Sequence, residues 1–239
     1  MRFSDVFTSK DNIQLDKKTL VILRWIAILG QYISISFVYF ILNFEFPFLN
    51  CTIIVLIGVV TNLYLQFIVK ENQLSNTKSF SYLLYDLLQL ALLLFFTGGV
   101  TNPFIVLLII PAIVSSTFLN IKSTINLLII TIIILIILTI YYFPLPHVMF
   151  EEFHFHVPNY YLYSVPFAII IGLVFLTYFG IRFGVESRKR TEALNKLELI
   201  LAKEHELESI GLQAAAAAHS LGTPLSTINV VAKELLKDV

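Results

Sequence analysis

The sequence predicts an all-α membrane protein in which six transmembrane helices are followed by a cytoplasmic coiled-coil or dimerisation helix. Three observations predict it. The 239 residues are 57% hydrophobic and only 13% charged, with a mean hydropathy of +0.84, whereas a soluble domain carries about 25% charged residues. The apolar residues gather in runs long enough to cross a bilayer, which takes roughly 20 residues of helix. After Arg190 the composition turns charged and apolar residues recur at helical spacing. Net charge is zero, so bulk charge offers nothing to nucleic acid, and no nucleic-acid partner is expected. A lone cysteine, Cys51, excludes an intramolecular disulfide.

The first 18 residues are polar and read as a cytoplasmic N-terminal segment. The first apolar run begins after them and is long enough to span, so no cleavable signal peptide is expected. A membrane domain then covers 19–183, with spans at about 19–43, 47–69, 80–97, 103–119, 122–143 and 160–183. The third and fourth are short and are separated by Gly98-Gly99-Val100-Thr101-Asn102. The fifth is almost pure Ile, Leu and Thr from Leu127 to Ile140, which predicts the most lipid-facing of the six. Cys51 falls near one end of the second span and reads as a small apolar residue.

Lys and Arg set the orientation. One set of ends holds Lys10, Lys17, Lys18, Arg24, Lys70, Lys78, Lys122, Arg182, Arg188, Lys189 and Arg190, while the loops around 43–47, 98–102 and 144–160 hold none. With six spans, both termini are then cytoplasmic in a multi-pass membrane protein. Asp86 and Gln89 share one face of span three. An intramembrane carboxylate is costly and faces the protein interior. Asp86 either takes up and releases a proton or makes a packing contact, with Asn62 or Gln66 of span two as partners. The short third span puts it near the cytoplasmic end. His147, His154 and His156, with Glu151 and Glu152, read as a solvated outer loop, and no metal is predicted.

Residues 184–210 form a linker and 211–239 the start of a second helical unit. One frame of three- and four-residue steps runs through Ala193, Leu197, Ile200, Glu204, Leu207, Gly211, Ala214, Ala218, Leu221, Leu225, Ile228, Ala232 and Leu235. A mean step of about 3.5 is a coiled-coil seam, weak at Glu204 and Gly211. A seam needs a partner, and the simplest is a second copy, so a parallel homodimer is predicted. His219 falls one residue past a seam position, on the exposed face with Thr223. Pro224 cannot bond to the Ser220 carbonyl and crowds it, so the helix should bend there. A neutral imidazole is a good nucleophile near neutral pH.

The stretch AAAAAHSLGTPLSTI (residues 214–228) resembles the phosphoacceptor box of sensor histidine kinases, through His219, Thr223, Pro224 and Leu225. The resemblance implies that His219 takes the terminal phosphoryl group of ATP. It also implies that Thr223 orients water for dephosphorylating a cytoplasmic response regulator. Ser220 stands where that family has an acid, so either another group takes the imidazole proton or autophosphorylation is slower than in the family. Gly98-Gly99-Val100-Thr101-Asn102-Pro103-Phe104 reads by itself as a tight turn, and is similar to the GGxxNPF heptapeptide of the RegB/PrrB redox-sensing kinases. That family has six spans and associates the heptapeptide with ubiquinone. An apolar groove with donors suits a quinone. Asn102, the Gly98 and Gly99 amides and the Phe104 face are the expected contacts, with Pro103 in the turn and Asp86 and Gln89 as further candidates. The redox-active cysteine of the family lies beyond its histidine box, and Cys51 does not match it.

No second hairpin helix or nucleotide-binding box follows His219 in the 239 residues, and no Walker loop precedes it. The chain is therefore expected to be a fragment or truncated product that uses ATP only through a missing domain. The rival expectations are a non-enzymatic quinone-binding membrane adaptor that dimerises through its coiled coil and, disfavoured by sparse intramembrane charge and no internal repeat, a small transporter.

Overall fold

The computed structural model describes residues 15–145, 147–148 and 158–235. In order, the elements are β1 (Leu15–Asp16), α1 (Lys17–Ser36, extended by a π-helical turn Phe37–Ile41), β2 (Phe44–Glu45), α2 (Phe48–Phe67), β3 (Gln73–Leu74) and α3 (Asn76–Phe96). Two 3-10 segments follow, Gly99–Thr101 and Pro103–Leu108, then α4 (Ile109–Phe118), α5 (Ile121–Ile140), β4 (His147–Val148) and α6 (Asn159–Leu235). The chain divides into two compact units between Glu186 and Ser187, so α6 contributes to both.

Among the described residues, five helices are long and apolar enough to cross a bilayer: Lys17–Ile41, Phe48–Phe67, Asn76–Phe96, Ile121–Ile140 and α6. The fourth apolar helix, Pro103–Phe118, is shorter. Their starts are written in the sequence. Asp16 accepts the Thr19 N–H at 3.0 Å, and Asn120 accepts that of Ser123 at 2.8 Å. Ser75 accepts the Lys78 N–H at 3.4 Å. Each cap satisfies a donor that the first helical turn leaves without a partner. At the far end of α2, the Lys17 ammonium donates to the Val69 carbonyl at 2.8 Å, a cation against the negative end of the helix.

Two short antiparallel ladders sort the connections. β1 pairs with β3, Leu15 opposite Leu74, and β2 pairs with β4, Phe44 opposite Val148. The Asn76 amide donates to Ser123 Oγ at 2.8 Å and its oxygen accepts the Asn120 N–H at 2.9 Å. On the opposite side the Phe143 N–H donates to the Phe95 carbonyl at 2.9 Å. The segments around 15–17, 69–76 and 119–123 thus gather at one end of the first unit, and those around 44–48 and 95–104 at the other. The first end carries Lys17, Lys18, Lys70, Lys78 and Lys122.

The core of this unit is leucine-rich, with Leu20, Leu65, Leu87, Leu94, Leu127 and Leu135 all buried. Small residues bring helices together where apolar burial gains nothing against lipid. A β-carbon on Gly58 of α2 would stand 2.5 Å from Gln89 Nε2 of α3, one on Gly180 of α6 would overlap Ser116 Oγ of α4, and one on Gly184 would stand 3.0 Å from the Thr117 carbonyl.

Three expectations change. α3 starts at Asn76, not residue 80, because the Ser75 cap recruits the polar stretch Asn76–Ser79 into its first turn. Asp86 therefore sits midway along α3, away from its end. α5 is not the most lipid-facing helix: 33% of its apolar window is buried, against 22% for α1. Thr124 and Thr131 are fully buried on its inner face, and the uniform Ile/Leu composition hid that face. The fourth span is a composite of 3-10 and α-helix.

Gly99 has φ +53°, and a β-carbon there would collide with the Tyr142 side chain and stand 2.7 Å from the Leu138 carbonyl. Gly99→Ala should lower stability by about 1–3 kcal/mol, whereas Gly211→Ala, with no neighbour within 4 Å, should not lower it. Thermal melting of the purified protein in detergent compares the two.

Candidate functional sites

The Gly98–Phe104 motif is a closed turn between α3 and the 3-10 segment. Gly98 has φ +114°, which L side chains rarely adopt, and follows directly on the last turn of α3. The Thr101 N–H donates to the Gly98 carbonyl at 3.0 Å and the Asn102 N–H to that of Gly99 at 3.2 Å. Asn102 then ties the turn from both sides. Its Nδ2 donates to the Thr97 carbonyl at 3.0 Å and to Thr97 Oγ1 at 2.8 Å, and its Oδ1 accepts the Phe104 N–H at 2.9 Å. Pro103 opens the 3-10 segment, where its missing N–H has no helical acceptor to lose.

Asn102, read from the sequence as a donor to a quinone, is thus 9% exposed with its amide committed to Thr97. Phe104 is the open part of the motif, at 45% exposure. The turn also rests on aromatic residues the sequence reading passed over. Tyr142 lies against Gly99, and the Phe143 ring packs on Phe95 at 5.3 Å and on Phe96 at 5.4 Å. Their signal was the run Tyr141-Tyr142-Phe143 at the end of α5, matched by Phe95-Phe96 ahead of the glycines.

A second site lies within the helices. Asp86 of α3 does not pair with Asn62 or Gln66. Its Oδ1 accepts from Arg24 Nε of α1 at 2.8 Å, and Arg24 is only 3% exposed. Arg24 Nη2 donates to Thr61 Oγ1 of α2 at 2.9 Å, and the guanidinium lies 5.5 Å and 5.3 Å from the Tyr82 and Tyr85 ring centres, within cation–π range. Gln89 Nε2 donates to Gln31 Oε1 of α1 at 3.2 Å, so Asp86 and Gln89 do share a face, toward α1. Asn62 and Gln66 also reach α1, through the Val21 carbonyl and the Trp25 indole. Arg24, counted from sequence as part of a positive flank, is instead the centre of a buried network. The legible signal was an arginine and a carboxylate in two different apolar spans.

In the second unit, residues 189–233 are all exposed. The seam residues Leu197, Leu221, Leu225 and Ile228 are therefore as open as His219, and exposure in one chain does not separate the two faces. Ser220 Oγ donates back to the Ala217 carbonyl at 2.9 Å, and Thr223 Oγ1 to that of His219 at 3.5 Å. The helix continues through Pro224, so the proline does not break it. Of the histidine loop, only the backbone of His147 lies within the described residues.

Removing one partner from a buried ion pair leaves the other charge stranded. Arg24→Leu should cost about 3–5 kcal/mol, and Arg24→Leu with Asp86→Leu should recover most of it. Unfolding in a denaturing detergent titration measures both.

Two curated relatives match the chain, both a "Sensor histidine kinase RegB" from Cereibacter sphaeroides. Each is 35% identical over 224 residues, covering 93% of this chain and 48% of the relative. The chain spans about half the length of the curated relatives it matches. No family model matches it, and no solved structure matches it significantly.

Proposed function

We propose that this chain, 35% identical over 93% of its length to the RegB sensor histidine kinases, is the sensing and phosphate-accepting part of a two-component histidine kinase in the bacterial inner membrane. The observation that carries this reading is the extent of the match. At 93% of the chain it takes in both the Gly98–Phe104 turn and His219. The lysine-rich end of the first unit then faces the cytoplasm, as do both termini, and the exposed seam of α6 joins two copies in a homodimer.

His219 is exposed and not enclosed by its own helix, which suits attack on a nucleotide held by another domain. A ring nitrogen bonds to the terminal phosphorus of ATP, the bond to the bridging oxygen breaks, and ADP leaves. Catalysis of such transfer is mostly positioning and charge stabilisation. The imidazole proton passes to water or to the nucleotide-binding domain, since the Ser220 hydroxyl is turned toward the Ala217 carbonyl and is no base at neutral pH. The phosphoryl group then goes to a cytoplasmic response regulator, and Thr223 positions water for its removal.

The input in this reading is the redox state of ubiquinone at the Gly98–Phe104 turn. The exposed Phe104 ring offers a stacking face. Asn102, Gly98, Gly99 and Pro103 serve by holding that ring in place, and the Arg24–Asp86 and Gln31–Gln89 pairs hold α3 beneath it.

Supplied with a matching ATP-binding domain and labelled ATP, the chain should take up phosphate, and His219→Gln should abolish the label. Label that survives the substitution, or none in the wild type, would leave a non-enzymatic membrane adaptor. Phe104→Ala should weaken quinone binding about tenfold, equivalent to ~1.4 kcal/mol, in a titration with proteoliposomes. Unchanged affinity and response in both Phe104→Ala and Asn102→Ala would remove the quinone reading.

A further inference from the structure

We infer that the 3-10 segment Pro103–Leu108 is a length-changing link that carries the state of the Gly98–Phe104 turn to α6, with Gly180 and Gly184 as the positioning residues at its far end. This deepens the sensing role proposed above and rests on it for the nature of the input.

Isolated 3-10 runs seldom exceed three or four residues, because their hydrogen bonds are poorer than those of an α-helix. Here six residues, Pro103–Leu108, are 3-10 and pass straight into α4. The junction explains why the longer run persists. Pro111 has no N–H, so the Leu107 carbonyl cannot receive the α-helical bond from position 111. The Ile109 N–H is instead directed at both Leu107 and Val106 carbonyls. The segment therefore lies near the balance between two helix types. A 3-10 helix rises about 2.0 Å per residue and an α-helix about 1.5 Å, so conversion of this segment shortens it by about 3 Å and turns one end against the other by about 120°.

Both ends of the link are engaged. Asn102 caps the near end, within the turn. At the far end Ser116 and Thr117 lie against Gly180 and Gly184, closely enough that no β-carbon fits at Gly180 without displacing Ser116. The glycines present bare backbone, and only the small Ser116 side chain seats against it, so α4 can slide or turn over them. The bond from Thr124 Oγ1 to the Ser115 carbonyl, 2.9 Å, has to re-form in the new register. Gly180-x-x-x-Gly184 would read from sequence as a face for another transmembrane helix. In this fold that face is occupied by α4 of the same chain. Gly172, on the same helix, has nothing within 4 Å and serves as the control.

The direct test places spin labels at Val106→Cys and Lys122→Cys in a Cys51→Ala background and measures their separation by pulsed electron resonance in proteoliposomes. Switching ubiquinone between oxidised and reduced forms should change the distance by about 1.5 Å, the share of the shortening that falls between residue 106 and α4. Pro111→Ala restores an α-helical donor to Leu107 and should shift the distance without any quinone. With an ATP-binding domain supplied, Pro111→Ala should also change His219 phosphorylation at least ~5-fold. Adding Gly184→Leu should cancel that change, and adding Gly172→Leu should not. Gly184→Ala, the smaller intrusion, should cancel it in part, and guards against a variant that fails to fold.

If quinone leaves the distance unchanged but Pro111→Ala shifts both readouts, the quinone reading falls and the link stands. If Pro111→Ala shifts neither, the link is overturned. It is also overturned if Gly172→Leu uncouples as strongly as Gly184→Leu, or if Gly184→Leu acts by changing the oligomeric state of α6.

Discussion

The bond between Arg24 and Asp86 sets the arrangement of the first three helices. A guanidinium and a carboxylate inside an apolar bundle are each intolerable alone, and each has essentially one way to be satisfied. Pairing them fixes α1 against α3 in position and rotation. The second arm of Arg24 reaches Thr61 and so brings in α2. Once these helices are in register, Gly58 can receive Gln89, and Gln89 can meet Gln31. Apolar side chains could not specify this arrangement as sharply, since leucine packs against leucine in many registers and lipid competes on equal terms.

The turn beyond α3 obeys a similar logic on a smaller scale. Its backbone includes two glycines at positive φ, and such a backbone holds its shape only if something ties it. Asn102 does so by spending its whole amide on Thr97 and Phe104. The result is a turn tied from both sides with one aromatic ring left open. The motif thereby separates into residues that build the turn and a residue that a ligand can reach.

Much of this was legible beforehand. Long apolar windows marked the helices, but the Ser75 cap went unread, so the start of α3 was placed at residue 80 rather than at Asn76. The lysines gathered at one end of the fold, as their distribution in the loops predicts. What could not be read was whatever depends on distant partners. Nothing local in α1 says that Arg24 answers Asp86 rather than flanking the membrane. An Ile/Leu/Thr helix such as α5 carries no periodic signal of which face is buried. The commitment of Asn102 to Thr97 and Phe104 is a local pattern, an Asx cap with a threonine five residues upstream. His219 and its neighbours were found by motif alone, since an exposed single helix offers no packing by which to recognise them.

The order in which a ribosome makes these helices gives the ion pair a second meaning. Arg24 is made 62 residues before Asp86. Lys17 can close on the end of α2 as soon as Val69 has been made, so the first two helices can leave the insertion machinery as a hairpin. Arg24 then has only the Thr61 hydroxyl and must wait for its counter-charge. Until α3 arrives, the hairpin holds an unmatched cation and has reason to stay near the polar boundary. The late carboxylate supplies the missing counter-charge, so the contact that joins α1 to α3 cannot form until α3 itself has been made.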